Sequence, residues 1–274
     1  PHAAELLQST PWRRPVAQIP TVIPERVAIQ VGDLTLVGSR HPAIRPTGVR
    51  VLLNHGFSDS RIGPGRALVD LARLLTARGV EVFAFDRAGH GESEGRFHDV
   101  TIPHELRQIG AMIDHVRTLG DGPLHLLGHS LGAMETALVA ATRPGQIASM
   151  TLWAPAAVVV DDLAQDRIQG QPIGPARAAG VFDFQGQGLG LGFVDTARGL
   201  DPFAGLAEFD APVHLHQGAR DEIVPAHHAE RYAAAFGRRV TLHLYPEADH
   251  GWTRLADRQR LLELSADSIA PRQD

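Results

Sequence analysis

Cysteine is missing from the chain, and so is lysine: all 26 cationic residues are arginine. Without thiols there are no disulfides, no thiolate nucleophiles and no cysteine-bound zinc. Without lysine there is no Walker-type phosphate loop and no Schiff-base chemistry, pyridoxal phosphate chemistry included. No apolar run approaches the roughly 20 residues of a bilayer-spanning helix, so no membrane span is expected. A formal charge of −5 over 274 residues gives no basic footprint for nucleic acid or an anionic membrane. The opening stretch PHAAELLQSTPWRRP has no apolar signal-peptide core, and the expected location is cytoplasmic. The chain starts without methionine, which a removed leader would also explain.

What is present suits a packed globular domain: 43% hydrophobic and 21% charged residues. Residues 1–26 carry Pro11, Pro15, Pro20 and Pro24, which disfavour helix and predict an extended arm laid on the body. A hairpin is expected at 27–38, turning at Gly32-Asp33. Buried strands then alternate with helices: strands at 49–56, 80–86, 124–128 and 148–155, helices at 65–78, 103–118 and 131–142. Between 156 and 208 the rhythm breaks into a stretch without a clean period, expected to be an inserted cap. Alternation resumes with strands at 213–218 and 240–246 and helices at 226–236 and about 252–269. The pattern predicts one α/β domain over 1–274: a mainly parallel sheet, helices on both faces and the 156–208 insertion. If the chain forms a homodimer, the arm and the cap are the expected contact surfaces.

Gly128-His129-Ser130-Leu131-Gly132 joins a buried strand to a helix, the setting of a nucleophile elbow. Gly128 and Gly132 remove Cβ atoms where the two backbones crowd, which lets the turn lift the Ser130 hydroxyl clear. A serine hydroxyl needs a base. His214, His216 and His243 fall on strands as packing or surface residues, and His227 and His228 at the solvated start of a helix. His250, in the loop after the 240–246 strand, is the expected base. Asp221, just past the preceding strand, is the expected acid that orients it. Glu222 should face solvent, Asp249 should point away from its neighbour His250, and Asp195 and Asp201 fall in the cap. Two backbone N–H groups, those of Phe57 and Leu131, are the expected oxyanion donors. His55 in the same turn is expected to be structural.

These motifs in order, HGF, DRAGHGESEG, GHSLG, GARDEIVP and ADHGW, resemble the α/β-hydrolase superfamily over residues 27–269. HGFSDSR, FDRAGHGESEGRFHDVT and the cap between WAPAA and DAPVHLHQG are similar to the feruloyl (cinnamoyl) esterase group. Members of that group often have glutamine where this chain has Leu131. The resemblance implies a serine esterase that acts through an acyl-enzyme on small or aromatic esters, with Ser130, His250 and Asp221 as its triad. No cofactor and no metal are implied. The glycine run 186–192 does not satisfy G-x-G-x-x-G and reads as cap. Serine at the elbow still admits a monoacylglycerol lipase, a thioesterase, a small-peptide hydrolase or a non-catalytic ligand-binding member. For a peptidase, Asp161, Asp162 and Asp183 in the cap would be the candidate amine anchors.

Overall fold

Alternating side chains along each strand feed two apolar layers, and these layers organise the molecule. A computed structural model describes Ala4–Leu6 and residues 22–271. Pro11, Pro15 and Pro20 of the expected arm lie outside the described residues. In chain order the first half holds β1 (Ala4–Leu6), β2 (Glu25–Val31), β3 (Leu34–His41), β4 (Arg50–Asn54), α1 (Ala67–Ala77), β5 (Glu81–Phe85), α2 (Ile102–Thr118), β6 (Leu124–His129), α3 (Leu131–Ala141) and β7 (Ser149–Trp153). The strands assemble with later β12 (Val213–Gly218) and β13 (Val240–Tyr245) in the order β1-β13-β12-β7-β6-β4-β5-β3-β2. Within this sheet, among the described residues, every pairing from β1 to β5 is parallel, and the β3–β5 and β2–β3 pairings are antiparallel.

Strand periodicity decides which layer each residue joins. On β4, Leu52 faces one core while Val51 and Leu53 face the other; on β6, Leu126 and Leu127 divide in the same way. One layer receives Ile109 and Met112 of α2, Met134 of α3, and Tyr232 and Phe236 of α7 (His227–Phe236). The opposite layer receives Leu68, Leu71 and Leu75 of α1 with Leu261 and Ile269 of α8 (Leu255–Ile269). Helix α3 is buried on all sides, which fits its run of alanine and other apolar residues.

The segment expected to be irregular, 156–208, is instead built from short elements. They are α4 (Val158–Ala164), β8 (Arg167–Ile168) paired with β9 (Gln171–Pro172), α5 (Gly174–Ala179), a hairpin of β10 (Val181–Phe184) and β11 (Gln187–Gly190), and α6 (Leu191–Ala197). Helix α8 starts later than the pattern suggested. The Asp249 carboxylate binds the backbone N–H and hydroxyl of Thr253, and Trp252 takes a left-handed φ of 53°, which closes a turn ahead of the helix.

Candidate active site

Four loops at the C-terminal ends of parallel strands converge. Ser130 follows β6, Asp221 follows β12, His250 follows β13, and the loop after β4 brings Gly56 and Phe57 against the elbow. Ser130 sits at φ 56°, ψ −123°, a backbone region that few L-residues adopt. Neighbouring strands hold it there: its N–H donates to Trp153 O at 2.8 Å and its carbonyl accepts from Ala156 N–H at 3.2 Å. The flanking glycines are sterically required. A Cβ on Gly128 would overlap the Ala133 backbone, and one on Gly132 would overlap the His55 carbonyl oxygen.

The three side chains form one hydrogen-bonded line. The Ser130 Oγ hydroxyl donates to His250 Nε2 at 3.0 Å, and His250 Nδ1–H donates to Asp221 Oδ2 at 2.8 Å. Asp221 is buried, and its other oxygen accepts the N–H groups of Ile223 and Val224 at 2.9 and 2.7 Å. Those bonds fix the carboxylate so that Oδ2 faces the imidazole. Glu222 is exposed, and Asp249 is engaged with Thr253, so neither reaches His250. Two residues to which the sequence reading gave no role support the line. Gln217 Nε2 donates to Asp221 Oδ2 at 3.2 Å, and His129 Nε2–H donates to the His250 carbonyl at 3.3 Å. Burial, and then the charge of His250, pushes the His129 pKa down to about 3, so it stays neutral. Gln217 directly follows His216 on a strand that also carries His214, so its polar character gave no separate signal.

Among the described residues no acceptor takes the N–H of Phe57 or of Leu131. A Cβ on Gly56 would come within 3.3 Å of Ser130 Cβ, which shows how closely this loop passes the nucleophile position. His55 is fully buried with both ring nitrogens bonded: Nδ1–H to Gly56 O at 2.7 Å, and Nε2 from Arg87 N–H at 3.1 Å. Above Ser130 lies an open cleft lined by Phe57, Leu131, Phe184, Phe193 and aliphatic side chains, with Asp162 and Gln169 as further polar lining groups. The Phe57 ring stacks on Phe193 at 4.7 Å and meets Phe184 edge-on at 4.9 Å.

The His pair at the start of α7 differs from expectation. His227 is exposed, but His228 is buried against Asp161 of α4, and burial lowers its pKa to about 4. Asp161, His227 and His228 bring potential ligand atoms within 4.8 Å of one another, yet the Arg231 guanidinium already holds the Asp161 carboxylate at 2.5 Å. A bound cation would have to displace that charge. Asp195, Asp201 and Asp183 are exposed in or beside the 156–208 segment.

Sheet order, elbow and converging loops give the chain the α/β-hydrolase fold. The family profile described as serine aminopeptidase, S33, matches residues 46–173. Human monoglyceride lipase is 37% identical over 116 residues, covering 40% of this chain and 37% of that enzyme. The chain thus aligns with under two fifths of that relative's length. Human mitochondrial palmitoyl-protein thioesterase ABHD10 is 26% identical over 217 residues, covering 75% of this chain and 68% of its own. Among solved structures, ferulic acid-bound Est1E from Butyrivibrio proteoclasticus superposes with a TM-score of 0.81 at 22% identity, over 89% of this chain and 99% of that one. No described helix is long and apolar enough to cross a membrane.

Proposed function

We propose that the protein is a carboxylic-ester hydrolase acting through an acyl-enzyme on small or aromatic, hydroxycinnamate-type esters. One observation carries this reading: the Asp221–His250–Ser130 line opens into an aromatic-walled cleft. His250 Nε2 takes the Ser130 proton as Oγ attacks the ester carbonyl carbon. Asp221 fixes the tautomer with its proton on Nδ1 and offsets the imidazolium charge. The N–H groups of Phe57 and Leu131 receive the oxyanion. Collapse breaks the carbon–oxygen bond, and the alcohol leaves with the proton returned by His250. Water, deprotonated by His250, then attacks the acyl carbon and frees the acid and Ser130.

Phe184 and Phe193 come from the 156–208 segment, which we read as a cap that forms one wall of the cleft. Phe57, Phe184 and Phe193 offer ring faces to a planar acyl group. Asp162 supplies a carboxylate acceptor for a phenolic hydroxyl in an otherwise largely apolar wall. The ferulic acid held by Est1E supports the same ligand class. The second reading is a monoacylglycerol lipase, favoured by the 37% identity with human monoglyceride lipase; on that reading Asp162 would accept a glycerol hydroxyl.

The test compares kcat/KM for methyl ferulate, p-nitrophenyl acetate and butyrate, a monoacylglycerol and an aminoacyl anilide. Preference for ferulate, lost selectively in Asp162→Asn, supports the first reading. Preference for the monoacylglycerol transfers the assignment to the second. No turnover on any of them contradicts both.

A further inference from the structure

A guanidinium with no exposed surface lies behind the loop that carries Phe57. Arg87 is completely buried, and its donors reach three acceptors in different directions. Nη1 donates to the His55 carbonyl at 2.9 Å, Nη2 to the Gly56 carbonyl at 3.3 Å, and Nε to Glu105 Oε1 at 2.5 Å. Its own backbone N–H donates to His55 Nε2, and His55 Nδ1–H returns to the Gly56 carbonyl. That carbonyl therefore receives two hydrogen bonds from the interior side of the loop.

Peptide geometry makes this consequential. The Gly56 carbonyl and the Phe57 N–H belong to one planar peptide group, and no peptide in the described residues is cis. In a trans peptide the C=O and N–H point in opposite directions. Holding the Gly56 oxygen toward the interior directs the Phe57 N–H toward the cleft. The same guanidinium approaches Glu135 Oε2 at 3.6 Å, and Glu135 lies on α3, whose first residue is Leu131. One side chain thus connects the two elements that present the two N–H groups.

We infer that Arg87 is a positioning residue for the oxyanion hole, holding the Gly56–Phe57 peptide from behind so that its N–H faces the tetrahedral oxygen. This rests on the reading of Ser130 as nucleophile with the Phe57 N–H as donor. Arginine suits the task because it is planar and forked, with donors enough for two carbonyls and a carboxylate together. A lysine ammonium is a point charge and could not span them. Glu105 and Glu135 supply the counter-charge. Burial, and then the nearby Glu105 charge, raises the Glu135 pKa, so Glu105, bonded to Arg87 Nε, is the main counter-charge.

The experiment compares wild type, Arg87→Lys and the double variant Arg87→Gln/Glu105→Gln, with Ser130→Ala in the same assay. Circular dichroism melting establishes the folded fraction of each. With p-nitrophenyl acetate both Arg87 variants should lose about 10²-fold in kcat, the scale of losing one oxyanion donor, with KM within about twofold of wild type. Phenylboronic acid, whose Ser130 adduct places an oxygen in the hole, should weaken by a similar factor, whereas ferulic acid inhibition should hold. A merely structural role would not separate the two inhibitors. Wild-type kcat in Arg87→Lys, with Ser130→Ala inactive, overturns the inference and leaves the nucleophile assignment standing. Recovery of wild-type kcat in the double variant also overturns it, since Arg87 would then serve only to balance Glu105. Turnover surviving in Ser130→Ala would remove the nucleophile and this inference with it.

Discussion

Gln187 Nε2 donates to Ser58 Oγ at 2.5 Å, tying the second strand of the β10–β11 hairpin to the residue after Phe57. Ser58 adopts a left-handed φ of 58°, so the bond steadies a backbone conformation that serine seldom takes. With the Phe57–Phe193 stack it makes the shape of the oxyanion loop depend on the 156–208 segment.

Gln187→Ala removes that bond from a part-buried site, worth about 1 kcal/mol, or about fivefold. The expected outcome is a fall of that size in kcat/KM with a melting temperature close to wild type, because the hairpin keeps Phe182 and Phe184 in the apolar layer. Unchanged kcat/KM would show that the loop holds its shape without the hairpin.

Asp221→Asn should lower kcat by about 10⁴ if the serine-protease precedent applies, because an amide no longer enforces the proton on His250 Nδ1. The exposed Glu222→Gln should leave kcat within about twofold. Steady-state kinetics on the two variants side by side check the choice of acid, and a larger loss in Glu222→Gln would reverse it.

Gly132→Ala places a methyl group on the His55 carbonyl oxygen. Backbone cannot move aside as a flexible side chain can, so the elbow or the loop behind it must shift. The expected result is a melting temperature lower by several degrees and loss of most turnover, as for a cost of a few kcal/mol in the core. Wild-type melting and turnover would mean the elbow is looser than its packing indicates.

Acid should destabilise the fold in a defined window. Burial holds His41, His125 and His228 at pKa values of about 4 and His129 at about 3, each below the ordinary histidine value of 6.5. Above pH 6.5 these groups are neutral in both states and contribute no pH dependence. Below 6.5 the unfolded chain binds their protons while the folded one does not, so stability falls with pH until the folded pKa values are reached. Urea midpoints should drop progressively from pH 6.5 to pH 4. A flat profile across that range would contradict the burial of these rings.

Local spacing made much of this site readable. Ser130, Asp221 and His250 each sit within five residues of a strand's end, and strands declare themselves through apolar runs. Helices α1, α2 and α7 are long enough and one-sided enough to show a period, whereas α3 is apolar all round. The 156–208 segment was not readable because α4, α5 and α6 have only 7, 6 and 7 residues, shorter than the window in which helical period emerges. His228 was misjudged because its burial comes from α4, an element distant in sequence. Arg87 stood in a recognised motif, but its partner His55 lies 32 positions away, and no spacing rule links them.

The most direct test of the account is covalent: wild type and Ser130→Ala treated with a fluorophosphonate, followed by intact mass and peptide mapping. With Ser130 as nucleophile, one adduct per chain is expected, on the peptide bearing Ser130, with esterase turnover lost in step with labelling, and no adduct and no turnover in Ser130→Ala. Labelling elsewhere, or turnover that persists in Ser130→Ala, would contradict it.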